Sequence, residues 1–179
     1  LSNDCVVSSQ VEVDGSLNIT GVPDAQGTLP KIIGGGSNRL FKVESGGKLV
    51  VKYLNLTGGI ASETDENGWG GAVLVSGSFT AISSFLWGYQ GYRGGAILGK
   101  NSCSNIQIFN STISHNAAHY GAGLYAKENL YVIDSKIEHN VGYNGGGILC
   151  KSATVCNIYD SFISSNVGTS SSNPAGGLW

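Results

Sequence analysis

The sequence predicts an all-β fold, a right-handed parallel β-helix (solenoid) of about six coils with 24–30 residues per coil. Three observations predict it. A cluster of small residues followed by an aliphatic one recurs along the chain. Between these clusters a second segment recurs, with apolar residues at alternate positions and an Asn near its end. The composition is that of short strands and tight turns, with 28 Gly against 3 Pro, 41% hydrophobic residues and only 12% charged ones.

The first motif reads Gly70-Gly71-Ala72-Val73, Gly94-Gly95-Ala96-Ile97, Gly121-Ala122-Gly123-Leu124, Gly145-Gly146-Gly147-Ile148 and Ala175-Gly176-Gly177-Leu178, at spacings of 24, 27, 24 and 30 residues. The second reads IQIFNSTISHN (106–116), LYVIDSKIEHN (130–140) and CNIYDSFISSN (156–166), with weaker copies at 49–59 and 79–89. Stacking the copies gives apolar columns: Leu49, Phe79, Ile106, Leu130, Cys156; then Val51, Ala81, Ile108, Val132, Ile158; then Leu56, Leu86, Ile113, Ile137, Ile163. Alternation of this kind marks strands with one face inward, and each repeat is read as two or three short strands. No stretch carries a sustained 3.6-residue period, so almost no helix is expected.

A repeat this short cannot bury its own apolar face, but winding it as one coil on the next does so, at about 4.8 Å per coil. Parallel connections favour the right hand. Residues 1–40 are read as a degenerate N-terminal coil, and 41–179 as regular coils open at the C-terminal end, where residues 174–179 begin another repeat. The open end suggests a longer parent chain or end-to-end assembly into a filament.

Asn116, Asn140 and Asn166 form a column of their own, expected to be a structural ladder of stacked amides. Cys150 and Cys156 stand close enough for a local disulfide, while the pairing of Cys5 and Cys103 is left open. No CxxC pair is present, so the cysteines lack zinc-ligand spacing. Sequons at Asn18, Asn55 and Asn110 are candidate glycosylation sites, and with the cysteines they point to a secreted, cell-surface location. Leu1 is not an initiator Met; it is read as a mature N-terminus after signal cleavage or the edge of a fragment. The net charge of −2, without a basic cluster, makes nucleic acid a poor partner, and no apolar run is long enough for membrane insertion.

Asp134 and Asp160 share a column with Asn110, Ser83 and Tyr53. Two carboxylates on adjacent coils are weak candidates for an acid/base pair in sugar chemistry, or for a calcium site. The competing reading is an Asx-type turn, since each Asp is followed by Ser as Asn110 is. His115 and His139 also align, but with no third metal ligand, so no metal is expected beyond that calcium and no other cofactor. Basic residues such as Arg93 and Lys100 align with no acid pair. Tyr92, His119 and Tyr143 fall in one column with Trp69 and Tyr120 beside it, a possible binding surface for carbohydrate or protein. The alternative is that these rings cover apolar surface at a corner.

The GGA-aliphatic clusters (70–73 and 94–97, with looser copies GAGL and GGGI) and the FISSN segment at 162–166 resemble the repeats of polymorphic outer-membrane proteins, which are bacterial autotransporter adhesins. That family's second motif is F-x-x-N, whereas here the Asn falls four residues after Phe162. More broadly the pattern is similar to the pectin-lyase-like superfamily, over residues 40–179. The resemblance implies the solenoid, and a structural or adhesive segment of an extracellular surface protein or fibre, with copies of itself or other surface proteins as partners. A polysaccharide-active enzyme of the lyase or epimerase kind, or a fragment of one, is the alternative it leaves open.

Overall fold

The computed structural model describes residues 1–61, 68–100, 104–151, 155–171 and 175–179. The Cys103 position lies outside them. The chain is a parallel β-solenoid of about six coils, and every strand pairing in it is parallel. Among the described residues no helix is long and apolar enough to cross a membrane.

Each full coil has four short strands, not the two or three expected. The central coil shows them in order: Val73–Val75 on face I, Ser78–Ile82 on face II, Phe85–Trp87 on face III and Gln90–Arg93 on face IV. Ile97–Gly99 then returns to face I, one coil further along. The four faces collect six, six, seven and five strands among the described residues. Faces I and IV were fused or overlooked in the sequence because their strands are only two to four residues long. On face IV, moreover, the positions between the outward residues are small, with Ala61, Gly91, Ala118, Gly142 and Gly168 in one row. No apolar alternation marks such a strand.

The aliphatic columns keep the register read from the sequence. Leu49, Phe79, Ile106, Leu130 and Cys156 are Cα partners on face II, with Leu17 ahead of them. Leu56, Leu86, Ile113, Ile137 and Ile163 are partners on face III, preceded by Ile32. From Val13 to Ile148 these ladders and that of face I form one continuous core. Residues 5–34 already supply strands to faces I, II and III in the same register.

Corners are where a coil must turn, and their chemistry recurs. Gly70, Gly94, Gly121 and Gly145, the first glycine of each cluster, all have positive φ, from 57 to 70°. A Cβ on Gly94 would lie 2.3 Å from the carbonyl oxygen of Ile97, so this corner requires glycine. At the turn from face II to face III, Tyr53, Ser83, Asn110, Asp134 and Asp160 all take the left-handed conformation (φ 45–52°).

Two polar ladders brace the corners at either end of face III. Nδ2 of Asn116 donates to Oδ1 of Asn140 at 2.8 Å, and Nδ2 of Asn140 to Oδ1 of Asn166 at 2.9 Å. The same oxygens accept the backbone N–H of Asn116 and Asn140, both at 3.0 Å. Each Asn thereby supplies an acceptor to a backbone donor that the turning chain leaves unpaired. A second ladder runs through Ser84, Ser111, Ser135 and Ser161. Oγ of Ser111, Ser135 and Ser161 accepts the backbone N–H of the serine one coil earlier at 3.0–3.1 Å, while each serine hydroxyl donates to its own i−2 carbonyl.

Candidate binding surface

Face IV positions the aromatic column. Gln90–Arg93, Ala117–Tyr120 and Val141–Asn144 pair in register, which brings Tyr92, His119 and Tyr143 to the same place on successive coils. The rings stack: Tyr92 and His119 lie 5.3 Å apart at 16°, and His119 and Tyr143 lie 4.6 Å apart at 20°. Tyr143 is 42% exposed. Gly91, Ala118 and Gly142 leave a shallow groove of about 420 Å³ beside the row, continued to Thr169.

This geometry decides what the row can offer. His119 has both ring faces covered by its neighbours, so a ligand meets edges and tyrosine hydroxyls along the row rather than open π-faces. The row is suited to hydrogen bonding and edge contact with a flat partner.

The five residues expected to form one surface divide into two groups. Tyr92, His119 and Tyr143 stand on face IV. Trp69 and Tyr120 turn over the outer side of face I and cover a small apolar cluster of Leu74, Leu98, Tyr125 and Leu149. Arg93 joins the groups, with its guanidinium carbon 5.3 Å from the Trp69 ring centroid, 5.7 Å from Tyr120 and 5.9 Å from Tyr92. The outward apolar ladder of face I has its signal in the apolar residue that follows the inward one in ValLeu, IleLeu, LeuTyr and IleLeu (73–74, 97–98, 124–125 and 148–149).

The other sites occupy different corners. Asp134 and Asp160 hold the left-handed turn between faces II and III, the position that Asn110 fills one coil earlier. Nδ2 of Asn110 donates to Oγ of Ser83 at 3.0 Å. His115 and His139 stack 5.1 Å apart at 9°, both at positive φ at the turn into face IV. Among the described residues no group of three or more His, Cys, Asp or Glu is placed to hold a metal ion. Cys150 and Cys156 are joined by a disulfide with their Cα atoms 6.7 Å apart, and Cys5 is an exposed free thiol.

The three sequons gather on one side. Asn18 is exposed on face II, Asn55 lies on face III, and Asn110 is exposed at the corner between those faces. Oδ1 of Asn55 accepts a hydrogen bond from the Trp87 indole at 2.7 Å. In coil order that corner is the one across from the junction of faces IV and I, where the aromatic residues gather.

Comparison with known protein families, with curated proteins and with solved structures gave no match for this chain.

Proposed function

We propose that this chain is a structural or adhesive segment of an extracellular surface protein, glycosylated on faces II and III and making its contacts through the aromatic row of face IV. The observation that carries the reading is the outward row Tyr92–His119–Tyr143 on a rigid parallel sheet, on the side of the coil that bears no sequon. A solenoid holds such a row at fixed spacing without an ordering penalty at binding. The resemblance of the GGA repeats to those of surface adhesins supports the same reading, and partners of the expected kinds are copies of the chain, other surface proteins and carbohydrate.

The test has two arms. Expression through a eukaryotic secretory pathway, with mass spectrometry of Asn18, Asn55 and Asn110, is expected to find these sites occupied. Sedimentation and affinity electrophoresis in gels containing neutral polysaccharide are expected to show self-association or retardation, weakened at least fivefold by His119→Ala with Tyr143→Ala. Empty sequons, or interactions that the double substitution leaves unchanged, overturn the reading.

A further inference from the structure

Outside face IV, the outer side of face I carries a second groove, of about 470 Å³, lined by Arg93, Tyr120, Tyr125, Leu149, Lys151 and Trp179 among others. Lys127 stands beside it with its ammonium 5.0 Å from the Trp69 ring centroid. Lys100, Lys127 and Lys151 each follow the last residue of a face I strand, on three successive coils. Coils rise by about 4.8 Å, so these lysines form a column of like charge. Burial, and then the charges of Arg93, Lys151 and Lys100, hold the Lys127 ammonium below the usual lysine range. A protein of net charge −2 thus brings Arg93, Lys127 and Lys151 together at one groove.

We propose that this groove binds a sulfated glycan, with Arg93, Lys127 and Lys151 pairing with its sulfate groups and Tyr120 and Tyr125 lying against the sugar. Arginine and lysine both match a tetrahedral oxyanion, the first as a fork and the second as a point charge. Arg93 and Lys151 line the groove and Lys127 stands near both, which suits a sugar bearing more than one anion rather than a single carboxylate. The wall explains why the ligand is a glycan and not an acidic peptide. From Ile97–Gly99 to Ile148–Cys150 the face I strands are paired coil to coil through their backbone groups, so this stretch of wall offers side chains alone. An extended peptide there would find no strand edge for its own N–H and C=O groups. The sequons lie across the coil from the groove, and the disulfide Cys150–Cys156 brackets Lys151 and steadies its turn.

The groove opens on a different face from the Tyr92–His119–Tyr143 row, and Lys127 and Lys151 belong to the groove alone. Isothermal titration of the full chain with a chemically sulfated oligosaccharide is expected to give saturable binding that weakens steeply with salt. The desulfated sugar, an oligouronate with one carboxylate per ring, and poly-glutamate are expected to bind at least tenfold more weakly. Lys127→Gln with Lys151→Gln is expected to lower affinity at least tenfold. Lys48→Gln with Lys52→Gln on face II, which removes the same charge elsewhere, is expected to stay within twofold. Circular dichroism and thermal melting verify that each variant is folded. No binding of the sulfated sugar, equal losses from the two lysine pairs, or equal affinity for poly-glutamate overturns the proposal.

Discussion

The backbone N–H of Tyr89 donates to Oδ1 of Asn116 on the next coil at 2.9 Å, which makes Tyr89 the residue on which the asparagine ladder ends. Tyr89 occupies the column of Asn116, Asn140 and Asn166, and it is completely buried. Its ring fills space left by Gly59 on the coil before, where an added Cβ would come within 3.0 Å of it. Among the described residues the phenol oxygen has no hydrogen-bond partner. Burying an unpaired hydroxyl costs about 1–3 kcal/mol. Tyr89→Phe keeps the ring and removes that oxygen, so it is expected to stabilise the protein by about 1 kcal/mol in urea unfolding. A loss of stability would show that the hydroxyl has a partner.

The same residue governs behaviour in alkali. Burial pushes the Tyr89 phenol well above its ordinary range, and burial also raises Tyr125. A raised folded-state value means that the native protein holds the proton more tightly than the unfolded chain. The stability this confers is fully present below the unfolded value of about 10 and is lost as pH rises beyond it. Melting temperature is therefore expected to be flat towards pH 9 and to fall steeply above 10. In Tyr89→Phe the fall is expected to be shallower, with the remainder carried by Tyr125; an unchanged alkaline limb would contradict the assignment.

Asn140 is the ladder's most heavily used member. It accepts from the backbone and side chain of Asn116, and it donates to the carbonyl of Ile113 at 3.1 Å and to Asn166. Asn140→Ala orphans a buried backbone N–H, an amide N–H and a carbonyl together. The expected loss is about 3 kcal/mol or more. Ser135→Ala orphans the N–H of Ser111 and is expected to lose about 1–2 kcal/mol. Equal, small losses for both in chemical denaturation would mean that water replaces the ladders without penalty.

The ladders also show what a sequence of this kind makes legible. The aliphatic columns were readable because burial demands an apolar residue at the same place in every coil, and Leu56, Leu86, Ile113, Ile137 and Ile163 keep that place without exception. The Asn column was readable for the same reason. The serine ladder was not, although Ser84, Ser111, Ser135 and Ser161 recur as regularly, because Ser is frequent at any turn and its side chain does not announce burial. The aromatics were legible as one column with Trp69 and Tyr120 beside it, but not as residues of two different faces. Tyr92 and Tyr120 are both flanked by polar and small residues, and only the strand register sends one outward on face IV and the other over face I.

Reducing the Cys150–Cys156 disulfide is expected to have a local effect. The bond closes a short loop, and chain entropy in the unfolded state gives it about 2 kcal/mol. Strands Ile148–Cys150 and Cys156–Tyr159 on either side are the last strands of faces I and II, each paired as a strand with the coil before. Cys150→Ser with Cys156→Ser is expected to speed amide hydrogen exchange in those two strands and to leave Val73–Val75 and Ser78–Ile82 protected. Uniform acceleration along the chain would mean that the coils unfold as one unit.

Asp134 and Asp160 separate a turn role from a chemical one. Both sit at φ near 50°, in a column whose other members are Tyr53, Ser83 and Asn110. Asn adopts the left-handed region as readily as Asp, whereas a β-branched residue resists it. Asp134→Asn with Asp160→Asn is therefore expected to leave stability within about 0.5 kcal/mol, and Asp134→Val alone is expected to lose about 1–2 kcal/mol. On the turn reading, calcium shifts the melting temperature of neither the parent chain nor the double Asn variant. A calcium-dependent rise in the parent that vanishes in the double variant would make the column a cation site, and polysaccharide cleavage lost in the same variant would make it a catalytic one.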